Sequence, residues 1–149
     1  MSLSFFPLPP PLPPPSLLLP SLLPPSSPPS SPSSSRPSPQ AKAVLVGYGP
    51  LPWSFYVRQS WRQPVIRPGD VLVFKWGFWP HGVRKLASGT AYDNCDFSGS
   101  TKVAPIRFFG YARYTVQAGD AATGLYFACP VPSHCGPGGM KVQISVTPL

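Results

Sequence analysis

The sequence predicts an all-β domain, an antiparallel sandwich or barrel, over residues 41–149. Three observations lead there. Turn signals recur about every ten residues beyond Ala41, short β-branched or aromatic runs fill the gaps between them, and no window carries the 3.6-residue period of a helix.

The elements follow in order. Ala43-Val44-Leu45-Val46 is the first β-branched run. Arg67-Pro68-Gly69-Asp70 is a turn that leads into a strand, Val71–Trp76. The segment from Ala87 to Gly110 is the least regular and is expected to hold a short helix or a loop. Gln117-Ala118-Gly119-Asp120 is a second turn, and Leu125–Ala128 is a strand beyond it. From Met140 to Val146 apolar and polar residues alternate, so one face is expected to be buried and the other wet. Residues 1–40 stand apart. Fifteen of them are Pro, and Ser and Leu make up most of the rest. Proline lacks a backbone donor and fixes its own φ, so this stretch is expected to be an extended or disordered arm, a linker or an atypical leader. Its prolines interrupt every apolar run, so no transmembrane span is expected. The C-terminus, Val146-Thr-Pro-Leu149, offers no hydrophobic tail of the kind a lipid-anchor signal needs.

Charge narrows the function. The chain carries +8 with only four acids, Asp70, Asp93, Asp96 and Asp120, and no Glu. Paired-carboxylate hydrolysis is therefore poorly supported. The basic residues, among them Arg58, Arg62, Arg84, Lys85 and Arg113, are scattered and form no nucleic-acid module, so no nucleic-acid partner is expected.

The chemistry concentrates in residues 126–146. The chain has three Cys and two His. Cys129, His134 and Met140 share one loop in the spacing C-x4-H-x5-M, and His81 lies just past the strand Val71–Trp76. A thiolate, two imidazoles and a thioether form the ligand set of a mononuclear type 1 copper site, in which a His2Cys trigonal set carries a weak axial Met. Thiolate and thioether favour Cu(I) and imidazole tolerates Cu(II), so one ion can cycle between them. Cys135, beside His134, cannot easily reach the same ion, and Cys95 is its natural disulfide partner. Such a bond closes a long loop, adds about 4 kcal/mol on a chain-entropy argument, and implies an oxidising compartment.

The same passages resemble the phytocyanins, the plant branch of the cupredoxins. Arg67-Pro-Gly-Asp-Val-Leu-Val-Phe74 is similar to the family's "RAGDVLVF" strand. His81 matches its first histidine ligand, and Asp93-Asn-Cys95 falls where its first disulfide cysteine stands. Tyr126-Phe-Ala-Cys-Pro-Val-Pro-Ser-His-Cys135 resembles "YFICxVPGHC", and Gly139-Met-Lys-Val-Gln-Ile-Ser-Val146 resembles the closing "GMKLAVTV" strand. The resemblance implies a cupredoxin-like Greek-key β-sandwich and one copper ion held by His81, Cys129, His134 and Met140. It also implies a Cys95–Cys135 disulfide and single-electron transfer to a redox partner protein or small redox molecule. The expected protein is a secreted or extracellular monomer and not an enzyme. Three departures stand out, one being that the stretch from Ala104 to Tyr114 is more aromatic than expected there. The family spaces the last histidine and axial ligand as H-x4-M or H-x4-Q, against H-x5-M here. Gly82 stands where the family has Asn, Asp, Ser or Thr, and has no side chain to tie the two ligand loops together.

Three other functions use the same residues. A ligand-depleted wall or signalling glycoprotein would suit the Pro/Ser arm, although all four candidate ligands are retained. A Cys–His nucleophile would use Cys129 with His81 or His134. A zinc site would use Cys129, His81, His134 and Cys135, leaving Cys95 unpaired.

Overall fold

The computed structural model describes residues 40–149, so the arm expected over residues 1–40 lies, but for Gln40, outside the described residues. The chain runs β1 (Ala43–Leu45), α1 (Val57–Ser60), β2 (Val71–Trp76), β3 (His81–Lys85), α2 (Gly89–Asn94), β4 (Thr101–Arg107), β5 (Gly110–Thr115), α3 (Asp120–Thr123), β6 (Leu125–Ala128) and β7 (Lys141–Ile144). Two sheets form, a three-stranded one in the order β1-β2-β5 and a four-stranded one in the order β4-β3-β6-β7. This is the all-β two-sheet class that the sequence predicts.

The turn at residues 67–70 shows how sequence becomes local structure. Pro68 pre-sets its φ, and Gly69 takes φ 93, which a side chain would resist. The Asp70 amide donates to the Arg67 carbonyl at 3.1 Å. The Asp70 carboxylate then accepts the Arg67 amide at 2.9 Å and the Lys42 amide at 3.0 Å. One buried acid thus closes the turn and fastens the entry to β1 beside it. The turn at residues 117–120 repeats the device, with the Gln117 amide donating to Asp120 at 2.8 Å. That carboxylate also takes hydrogen bonds from Lys85 Nζ at 2.8 Å and from the Tyr114 hydroxyl at 2.9 Å, which joins β3 to β5.

Packing follows the alternation of each strand. Leu72, Phe74 and Trp76 of β2 point inward, as do Leu125 and Phe127 of β6 and Val142 and Ile144 of β7. Phe74 meets Trp53 edge-on at 5.0 Å and Phe127 at 4.9 Å, so aromatic contacts bridge the core.

Four features depart from the sequence expectation. β1 pairs with β2 in parallel, because residues 46–70 form a long crossover carrying α1 rather than a hairpin. β3 carries no alternation signal, because Gly82 sits in a bulge between His81 and Val83. The irregular stretch holds α2, capped by Ser88, and also β4, an edge strand that tolerates Pro105. Lys141, expected on the wet face of β7, is buried. Its ammonium donates to the Tyr92 and Asp93 carbonyls at 2.7 and 3.1 Å and closes the C-terminal end of α2.

Candidate metal centre

The site is assembled from three places in the chain. His81 is the first residue of β3, Cys129 follows the last residue of β6, and His134 closes a turn in the β6–β7 loop. His81 and Cys129 are buried and His134 is partly exposed. The two Nδ1 atoms lie 3.1 Å apart, and the Cys129 Sγ lies 3.9 Å from that of His81 and 3.5 Å from that of His134. A point equidistant from these three atoms falls about 2 Å from each, close to the bond that a first-row metal makes with imidazole nitrogen and a little short of one to thiolate. Among the described residues this is the one group of three or more His, Cys, Asp or Glu that could hold an ion.

Burial keeps both imidazoles neutral. Desolvation, with the neighbouring His134, lowers the His81 pKa to about 4. Desolvation also pulls His134 below the ordinary histidine value. Both rings thus offer an Nδ1 lone pair at neutral pH when the proton sits on Nε2. Burial pushes the Cys129 thiol above its usual value, while amides of Gly82 and Val131 directed at the sulfur pull the other way. A metal cation would oppose the burial effect and favour the thiolate.

Main-chain bonds hold the ligand loop. The His134 amide donates to the Val131 carbonyl at 3.1 Å, and the Met140 amide donates to the His134 carbonyl at 2.8 Å. The Cys129 amide donates to the Met140 carbonyl at 3.0 Å. Between His134 and Met140 the chain turns, with Gly139 at φ 58 donating its amide to the Gly136 carbonyl at 3.1 Å. The Met140 side chain is fully buried. Gly82 supplies by backbone the tie it lacks as a side chain. Its amide faces the Cys129 sulfur, and its carbonyl accepts the Trp53 indole N–H at 3.0 Å.

Phe55 belongs to the site and was not singled out from the sequence. Its ring stands edge-on to His134 at 4.6 Å and to His81 at 5.7 Å. It is held there because Tyr56, in a left-handed conformation, donates its amide to the Gly138 carbonyl at 2.9 Å. The only local signal was the aromatic run Trp53-Ser-Phe-Tyr56, which lies far from the ligand loop in sequence. Cys95 and Cys135 form a disulfide, with Cα atoms 5.9 Å apart, and Cys129 remains the free thiol. One soft thiolate donor, two imidazoles and a buried thioether fit one type 1 copper ion.

No model of a protein family matches the sequence. The chain is 33% identical to chemocyanin of Lilium longiflorum over 93 residues, which are 62% of this chain and 67% of that one. Among solved structures it resembles spinach plantacyanin, with 33% identity, a TM-score of 0.50 and coverage of 70% of this chain and 99% of that one. Cucumber basic protein, a blue copper protein, superposes with a TM-score of 0.56 at 24% identity over 70% of this chain and 99% of its own. Cucumber stellacyanin gives 0.53 at 22% over 74% and 99%. These last two likenesses speak to the fold alone. The sequence match to the lily protein, carried on this two-sheet fold, places the chain in the phytocyanin family.

Proposed function

We propose that this chain is a mononuclear type 1 copper protein that passes single electrons. The observation that carries the proposal is the convergence of Cys129 Sγ with the Nδ1 atoms of His81 and His134 in a buried pocket, all within 4.8 Å of one another. Cys129 would be the thiolate ligand, His81 and His134 the imidazoles, and Met140 the axial thioether. A bound copper ion would supply one-electron chemistry by alternating between Cu(I) and Cu(II). The chain's own part is to hold the donors still, so that little moves when charge changes. The Gly82 and Val131 amides steady the sulfur, Phe55 packs edge-on against both rings, and the main-chain bonds of Met140 tie it to His134 and Cys129. His134, the partly exposed ligand beside Pro130, Val131 and Pro132, is the exit for the electron toward a transient redox partner.

The same features weigh against the other uses of these residues. The disulfide removes Cys135 from any zinc set. A fully buried thiol with a raised pKa is a poor nucleophile, so the protein is read as a carrier and not an enzyme. The disulfide also fits secretion to an oxidising extracellular space. Residues 41–149 form the functional domain in this reading, and residues 1–40 a Pro/Ser-rich arm.

The test is spectroscopic. Titrating the metal-free protein with Cu(II) should produce an intense thiolate-to-copper absorption band that saturates at one ion per chain. Cys129→Ser should remove that band while the fold persists. A folded, copper-loaded wild-type sample without the band overturns the proposal.

A further inference from the structure

Two aromatic loop tips lie close to His81 in the fold, one just before it in sequence and the other just past Arg107, its β4 partner. The β2–β3 loop presents Phe78 and Trp79, and the β4–β5 turn presents Phe108 and Phe109. Each is more than 60% exposed, so these rings stand out from the surface and do not line a recess. The two tips are packed together: Phe78 and Phe109 meet edge-on at 5.6 Å, and Gly77 sits so close to Phe109 and Leu51 that an added Cβ would touch both at 3.3 Å. Phe78 has φ 64, a conformation that an aromatic residue resists, and the Trp79 amide closes back on the Gly77 carbonyl at 2.8 Å. The backbone is thus strained in a way that keeps two aromatic side chains in water.

Charge identifies what would cover them. The strands β2 to β5 that carry these tips hold six Lys or Arg and no carboxylate, although Lys85 is paired with Asp120 beyond β5. Lys75 and Arg107 stand within three residues of the rings in sequence and are exposed. Of the four acids in the chain, Asp70 and Asp120 are buried in turn hydrogen bonds, and Asp93 and Asp96 lie on or just after α2. A second copy of this chain would oppose cation to cation across such an interface. The edge-on rings, 64° apart, make no flat platform for stacking a sugar or base. Protruding Phe and Trp tips with Lys75 and Arg107 near them in sequence match the boundary between lipid headgroups and acyl chains of an anionic bilayer.

We propose that the Phe78–Trp79 and Phe108–Phe109 tips dock this protein onto an anionic membrane surface, the aromatic rings entering the headgroup boundary and Lys75 and Arg107 pairing with lipid phosphates and carboxylates. This proposal does not depend on copper.

The test is co-flotation of the full chain, with and without copper, on phosphatidylcholine vesicles with and without phosphatidylserine. The expected result is binding only to the anionic vesicles, weakened by salt. Trp79→Ser with Phe108→Ser should lower partitioning by about tenfold or more. Lys75→Gln with Arg107→Gln should lower it by about fivefold per charge removed. All four positions are exposed, and circular dichroism and thermal midpoints matching the wild type would establish that the variants fold. No binding to anionic vesicles at low salt overturns the proposal. So does binding that survives Trp79→Ser with Phe108→Ser, which would assign it to general charge or to residues 1–39. A dimer in sedimentation that those two substitutions dissolve, or retention by an acidic protein surface in place of lipid, would reassign the patch and also overturn it.

Discussion

His81 shows how burial sets chemistry at a single side chain. Its pKa falls to about 4 because a charged ring would lose water and face His134. An unfolded chain binds a proton at His81 near pH 6.5, whereas the folded, metal-free chain refuses it until near pH 4. Stability of the metal-free protein should therefore fall as pH drops from 6.5 toward 4 and level off below that as far as this group is concerned. Urea midpoints at pH 7, 5 and 4 check this; a constant midpoint would contradict the buried, neutral ring. Gly138 gives a second residue-level prediction. A Cβ there would lie 2.7 Å from both the His134 carbonyl oxygen and Phe55 Cδ1. Gly138→Ala should cost about 1–3 kcal/mol and weaken the copper band at equal metal content, by pushing Phe55 off the imidazole. Gly136→Ala, with open space around it, is the matched control and should change little.

Among the elements, two aspartate-closed turns do much of the positioning. Burial opposes ionisation of Asp120, but Lys85, the Gln117 amide and Tyr114 outweigh it and hold the carboxyl below its usual range. Its contribution is present at neutral pH and is lost as pH falls below about 4. Lys85 works in the reverse sense. Burial lowers its pKa, Asp120 and Tyr114 outweigh that and hold it above the usual lysine value, and its share is lost as pH rises above about 10. Asp120→Ala should cost about 2 kcal/mol, since it strips partners from Lys85, Tyr114 and the Gln117 amide together. A denaturation midpoint unchanged by this substitution would show that the three bonds are worth no more to the protein than their counterparts in water. The strands themselves were unevenly legible. β2, β6 and, apart from the buried Lys141, β7 read cleanly because their apolar residues alternate onto one core. β3 and β4 did not, because a bulge at Gly82 breaks the one and an edge-strand proline the other.

For the molecule as a whole, the disulfide fastens the segment after α2 to the ligand loop, and Lys141 lies across the same junction, 3.6 Å from the Cys95 sulfur. Reduction should cost roughly 4 kcal/mol, because the bond spans a separation of 40 residues. It should also loosen the His134 loop, which adjoins Cys135 in sequence. Thiol titration of denatured, metal-free, unreduced protein should find one thiol and, after reduction, three. Three thiols before reduction would remove the disulfide from the account. Among the described residues, no helix is long and apolar enough to cross a membrane.

The amino-acid sequence alone determined the all-β class, the candidate donor residues and the odd cysteine, because these depend on residue type and short spacing. Turn residues, strand alternation and the C-x4-H-x5-M loop are all local, and local chemistry can be read in one dimension. Tertiary structure decided what depends on distant segments meeting: the parallel β1–β2 pair, Phe55 against both imidazoles, and the backbone ties that Gly82 makes in place of a side chain. It also brought together two aromatic tips some thirty residues apart in sequence. Contacts of that kind arise from burial shared between segments, and no single segment carries their signature.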